Sequence, residues 1–237
     1  MNHFLGEFIG TALLIILGNG VVANVLLNQT KGHSSGWIVI TFGWAIAVFT
    51  GVYTSTSLGG GGHLNPAVTL ALAAFSDFDN SLLLPYIGGQ FAGAFTGAII
   101  VWLTYKKHFD ATTENPDAMR AVFCTAPAIR TPLYNFITEA VGTFILVMGA
   151  LLMSKPSASL GTLDALPVAL LVLGIGLSLG GPTGYAINPA RDLGPRIAHF
   201  LLPIRGKGNS DWNYSWIPVL GPIAGGMLAA WVYALLK

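Results

Sequence analysis

Charge is what this sequence has least of. Asp, Glu, Lys and Arg make up 9% of its 237 residues, where soluble domains carry about 25%. So few charges cannot cover a water-facing surface of this size, which excludes an ordinary soluble domain. They also nearly cancel, 11 Lys and Arg against 10 Asp and Glu. There is then no basic field for nucleic acid and no acidic tail for a basic partner. Cysteine is all but missing. Cys124 alone excludes an intrachain disulfide and a Cys-based metal cage, leaving an inert thiol. His33, His108 and His199 have no partner spacing that suggests a metal. No HExxH motif of a zinc peptidase occurs, so an enzyme is a remote reading and no cofactor is expected.

What the chain does have is apolar sequence in long runs. A helix crossing the hydrocarbon needs roughly 20 mostly apolar residues. Residues 8–30, 80–105, 165–190 and 212–236 contain no Asp, Glu, Lys or Arg, and each has room for one crossing. A fifth, about 133–154, contains only Glu139, near its start. The first run has no Lys or Arg ahead of it and carries Glu7 inside the apolar stretch, unlike a signal peptide, and is taken as a span.

Residues 32–76 differ. They are uncharged throughout, too long for one crossing and scarcely long enough for two with a connection. A helix over about 36–58 fits, followed by Gly59, Gly60, Gly61 and Gly62 and then His63-Leu64-Asn65-Pro66-Ala67-Val68. Four glycines do not continue a helix, whereas Asn followed by Pro starts one, with Asn as N-cap and Pro at the first helical position. This predicts a half-length helix from Pro66 to about Phe75. The device recurs: a span ending near Gly180 runs into Gly181-Pro182-Thr183-Gly184-Tyr185-Ala186-Ile187, and Asn188-Pro189-Ala190-Arg191-Asp192 opens a second half-helix to about Phe200.

The recurrence extends along the chain. Gly6-Glu7-Phe8-Ile9-Gly10-Thr11 matches Thr138-Glu139-Ala140-Val141-Gly142-Thr143, a shift of 132 (139 − 7). Gly89-Gln90-Phe91-Ala92-Gly93 matches Gly221-Pro222-Ile223-Ala224-Gly225 with the same shift (222 − 90). The predicted architecture is one transmembrane channel domain over 1–237. It is all-α, with six transmembrane helices and two re-entrant half-helices, in repeats of about 1–105 and 131–237 joined by a connection at 106–130. Three crossings per repeat are an odd number, so the second copy lies inverted relative to the first. The half-helices then enter from opposite faces and meet N-terminus to N-terminus near the midplane. Irregular backbone at that depth is tolerable only where it is buried or faces a watery cavity.

With two Asn-Pro-Ala copies, each after a glycine-containing loop at corresponding places of a duplicated membrane chain, and with paired Glu motifs, the sequence resembles the major intrinsic proteins, the aquaporins and glycerol facilitators, over essentially its whole length. Arg191-Asp192 resembles the glycerol-facilitator branch. The resemblance implies a passive channel for glycerol and other small uncharged solutes, including water, that excludes ions and protons. It implies a pore lined by the motifs Asn65-Pro66-Ala67 and Asn188-Pro189-Ala190, with carbonyls of Gly61, Gly62 and His63 on one side and of Gly184, Tyr185 and Ala186 on the other. Each Asn oxygen caps its helix, while a carboxamide N–H remains to donate to a passing hydroxyl. The positive helix ends repel cations. Carried over by position, the narrowest point comprises Trp44, Gly176, Tyr185 and Arg191, with Phe42 competing for the place of Trp44. Gly176 is expected to leave a wide opening. Arg191 can donate twice to vicinal hydroxyls, opposite aromatic rings that suit carbon-bound hydrogen. An ion pair with Asp192 is the structural alternative for Arg191. Glu7 and Glu139 are expected to hold the loops rather than to carry protons.

Undissociated short organic acids such as lactic acid, or dihydroxyacetone, are alternative cargoes, and a secondary transporter is the remoter one. The resemblance further implies a homotetramer in the lipid bilayer of the cell membrane with both termini cytoplasmic. Charge counting points the other way: Lys31, Lys106, Lys107, Arg120, Arg130, Arg205 and Lys207 lie in the first, third and fifth connections, and Lys155 and Lys237 on the opposite side.

Overall fold

The computed structural model describes residues 3–76, 78–153 and 161–237, and every regular element among them is helical. In chain order these are α1 (His3–Leu26), α2 (Trp37–Ser57), α3 (Pro66–Phe75), α4 (Leu83–Thr104), α5 (Lys106–Asp110), α6 (Pro116–Phe123), α7 (Pro132–Met153), α8 (Ala165–Leu179), α9 (Pro189–Leu201) and α10 (Ile217–Leu235). Short 3-10 turns precede α4 and α8. Lys155 lies outside the described residues.

Both half-helices begin where local chemistry places them. Asn65 and Asn188 adopt extended backbone, and each side-chain oxygen accepts an amide of the first turn, Ala67 N–H at 2.9 Å and Ala190 N–H at 3.0 Å. Pro66 and Pro189 follow at the first helical position, where a missing N–H costs nothing.

α1 starts at His3, and Glu7 within it is turned inward and fully buried. One span differs from expectation. α8 has 15 residues, about 22 Å of helix, less than the roughly 30 Å of hydrocarbon. It stops at Leu179 because Gly180, Gly181 and Pro182 follow. Among the described residues five helices are long and apolar enough to cross a membrane, and α8 is a shorter sixth.

α1 packs along α4 and α7 along α10. A Cβ at Gly89 would lie 2.6 Å from the Phe4 carbonyl oxygen, and one at Gly97 2.7 Å from that of Ala12. One at Gly225 would overlap the Ala140 carbonyl. These small residues therefore permit backbone contact. α2 meets α8, while α3 rests on α10 and α9 on α4. Leu84, Leu103, Leu133, Leu152, Leu170 and Leu228 are exposed around the outside, whereas Glu7, Gln90, Glu139, Asp192 and Arg196 are buried inside. An apolar rim around a polar interior is the distribution a lipid environment requires.

Candidate functional site

The segments between α2 and α3 and between α8 and α9 bring irregular backbone into the middle of the bundle, and their amides need acceptors there. Glu7 supplies four contacts. Its Oε1 accepts from His63 N–H and Ser55 Oγ, both at 3.0 Å, and its Oε2 from Leu64 N–H and Gln90 Nε2, both at 2.7 Å. Glu139 accepts from Ala186 N–H at 3.0 Å and Ile187 N–H at 2.8 Å. Gln90 also donates to Thr69 Oγ1 at 2.9 Å, and the His63 ring lies 3.1 Å from the same hydroxyl, between Phe78 and Tyr86.

These bonds hold the backbone in a costly shape. Leu64 (φ 51°), Tyr185 (φ 38°) and Ile187 (φ 45°) are left-handed, which is unfavourable for any side chain and most of all for a β-branched one. The consequence is a crossed pair. Asn65 Nδ2 donates to the Ile187 carbonyl and Asn188 Nδ2 to the Leu64 carbonyl, each at 2.8 Å. Each carboxamide thus caps its own helix, ties itself to the opposite loop with one N–H, and retains a second N–H. The N-termini of α3 and α9 meet here, each equivalent to roughly half a positive charge.

Two cavities lie along this part of the bundle, and the larger opens on the meeting point. The larger, about 350 Å³, has Asn65, Asn188, Gly61, Gly62, His63 and Ala186 in its wall, with Leu14, Val48, Val68 and Val172 among its apolar members. The smaller, about 230 Å³, is bounded by Gly184 and by residues 124–128 of the third connection. Trp44, Tyr185 and Arg191 belong to both walls. They form the junction between them. Phe42 is 52% exposed on the outside and borders neither cavity, whereas Trp44 borders both. That ring lies so close over α1 that a Cβ at Gly18 would overlap it.

Gly176 does not leave the opening expected of it. A Cβ there would sit 2.8 Å from Tyr185 Cζ, so the Tyr185 ring already occupies the space. Gly184, at φ 81°, makes the turn that brings Tyr185 inward, a conformation that favours glycine.

Arg191 is 7% exposed, and its guanidinium carbon stands 4.1 Å from the Trp44 ring centroid. Its Nη1 has no hydrogen-bond partner among the described residues. Asp192 does not neutralise it. That carboxylate takes Arg196 Nε at 2.8 Å and both the N–H and hydroxyl of Thr125 at 2.7 Å. Arg196 in turn donates to the carbonyls of Thr125, Ser210 and Asp211. A buried pair so completely bonded is satisfied, and Arg191 remains the cation facing the junction.

Sequence reasoning missed Ser55, Gln90, Thr125 and Arg196. The i, i+4 spacing of Asp192 and Arg196 was the available signal for the last. Gly176-Leu177-Ser178-Leu179-Gly180 also has Gly-x-Ser-x-Gly spacing, which a reading for enzymes has to weigh. It forms the end of α8 with Ser178 exposed, whereas a nucleophile elbow is a strand-to-helix turn. Cys124, in the third connection, is buried, and burial pushes its thiol up to about 12. Such a thiol is unreactive.

The family model of the major intrinsic proteins matches residues 1–233. A protein of Thermotoga maritima named a probable glycerol uptake facilitator is 56% identical over 98% of both chains. A glycerol uptake facilitator of Streptococcus pneumoniae is 53% identical over 99% of both. Among solved structures, the aquaglyceroporin from Plasmodium falciparum superimposes with a TM-score of 0.87 at 31% identity, covering 98% of this chain and 95% of that one. With its sequence matched almost end to end and its fold shared with a solved relative, this chain belongs to the major intrinsic protein family.

Proposed function

We propose that the protein is a passive channel for glycerol and similar small uncharged solutes, with water as a co-permeant. The observation that carries this reading is the junction at which Trp44, Tyr185 and Arg191 border both cavities. A solute moving from one cavity to the other passes a guanidinium donor and two aromatic rings. A polyol presents hydroxyls to the first and carbon-bound hydrogen to the second. Beyond the junction it meets the free N–H of Asn65 and of Asn188, whose opposed orientation turns hydrogen-bonded water in opposite senses on the two sides and interrupts a proton wire. The helix ends and Arg191 together repel cations. The names of the relatives support glycerol as the cargo.

A proton-coupled transporter would need a carboxylate able to load and release its proton, and Glu7 and Glu139 are committed to loop amides. On the same reading the chain acts as a homotetramer in the plasma membrane, its exposed apolar faces meeting copies or lipid, with both termini cytoplasmic. The test is stopped-flow light scattering on proteoliposomes with glycerol, water and lactic acid at several pH values. Glycerol flux well above that of empty liposomes is expected. Flux equal to empty liposomes would remove glycerol as the cargo, and faster entry of undissociated lactic acid would reassign it.

A further inference from the structure

The wall of the junction opposite Arg191 is a side chain with nothing to fix it from within. Tyr185 is 6% exposed, and its hydroxyl has no hydrogen-bond partner among the described residues. Its ring lies along one face of α8 where that helix offers no side chain. A Cβ at Gly176 would come within 2.8 Å of its Cζ, and one at Gly180, a turn later, within 2.6 Å of its Cδ1. The two glycines make a smooth floor on which the ring could slide toward the smaller cavity.

Trp37, the first residue of α2, closes that direction. Its ring meets Tyr185 edge to face, centroids 5.8 Å apart at 78°. Its indole N–H donates to the Gly176 carbonyl at 3.1 Å, near the end of α8, where the last carbonyls lack helical partners. It also borders the smaller cavity and stands 2.7 Å from where a Cβ of Gly180 would be. One residue thus ties α2 to the end of α8 and backs the Tyr185 ring.

We propose that Trp37 is a positioning residue for selectivity: with the Gly176 and Gly180 floor it sets how far Tyr185 stands from Arg191 and Trp44, and so the largest polyol the junction admits. Trp37 is not itself part of the junction. It acts through Tyr185, and the two positions move the aperture in opposite senses. Removing the Trp37 ring frees Tyr185 to retreat into the smaller cavity. Adding a methyl at Gly176, inside α8 and with only the Tyr185 and Thr41 side chains in its way, pushes the Tyr185 ring off the floor toward Arg191.

The inference rests on the junction being the selective point, and the experiment separates the two claims. Proteoliposomes carrying wild type, Trp37→Ala, Trp37→Phe, Gly176→Ala and Arg191→Ala are compared for flux of water, glycerol and four- and five-carbon polyols, normalised to incorporated protein. For Trp37→Ala the ratio of four-carbon polyol to glycerol flux should rise at least threefold, with Trp37→Phe, which keeps a ring, close to wild type. For Gly176→Ala the ratio of glycerol to water flux should fall by a similar factor. A loosened fold would lower all fluxes together and leave these ratios in place. If Arg191→Ala changes the ratios while Trp37→Ala and Gly176→Ala do not, the role of Trp37 is overturned and the junction stands. If none of the three changes them, selectivity lies elsewhere and both claims fall. Should Trp37→Ala not incorporate, Gly176→Ala decides the matter alone.

Discussion

Arg191 owes its availability to Asp192 being occupied elsewhere. Adjacent opposite charges invite the inference that they pair, yet Asp192 is saturated by Arg196 and Thr125, one helical turn and one connection away. A buried guanidinium with an unpartnered Nη1 is costly unless something in its path accepts from it, and a polyol hydroxyl does so. Arg191→Ala should therefore lose discrimination rather than flux. It should admit larger neutral or cationic solutes at least tenfold faster relative to glycerol, as read by light scattering and a cation-leak assay on one preparation. Unchanged selectivity would put the narrow point elsewhere. Which aromatic stands beside Arg191 was not legible, because the glycine run makes the register before Asn65 uncountable from sequence. Nor was the filling of Gly176 by Tyr185, which depends on the turn at Gly184 and on Trp37 and Thr41 of the distant α2.

At the scale of elements, the two short helices were almost completely readable. Pro66–Phe75 has the predicted bounds and Pro189–Leu201 ends one residue later than expected, because capping by Asn and Pro is local chemistry. α8 was less so: its shortness follows from where Gly180, Gly181 and Pro182 stop it, and the run of uncharged residues continues past that point. The loops before the half-helices depend on Glu7 and Glu139 for their amides. Replacing a buried carboxylate by a carboxamide turns one acceptor into a donor that faces donors. Glu139→Gln should cost about 1.5–3 kcal/mol, and Glu7→Gln at least as much, since Ser55 and Gln90 also donate to it. Thermal unfolding in detergent reads the loss, and glycerol flux should fall with it as Leu64 and Ile187 relax from their left-handed conformations. A wild-type melting temperature would show that the loops hold themselves.

For the molecule as a whole, the distribution of polar and apolar residues follows the bilayer, but orientation is set by two opposing arguments. Basic residues crowd the first, third and fifth connections, yet several are engaged: Lys106 with Asp110, Arg120 with Asp117, Arg130 with Asp211, and Lys207 with the carbonyls ending α9. With both termini cytoplasmic, as proposed, protease added to intact cells should cut near the exposed Asp117 and spare the termini. Cleavage only after lysis would reverse the orientation. The central claim is that neutral solutes pass the crossed asparagines and the Arg191 junction while protons do not. It is tested most directly by recording glycerol efflux and proton leak on the same proteoliposomes. The account predicts glycerol efflux far above that of empty liposomes, with a proton leak no greater than theirs. Glycerol efflux at the empty-liposome rate, or a proton leak that rises with incorporated protein, would contradict it.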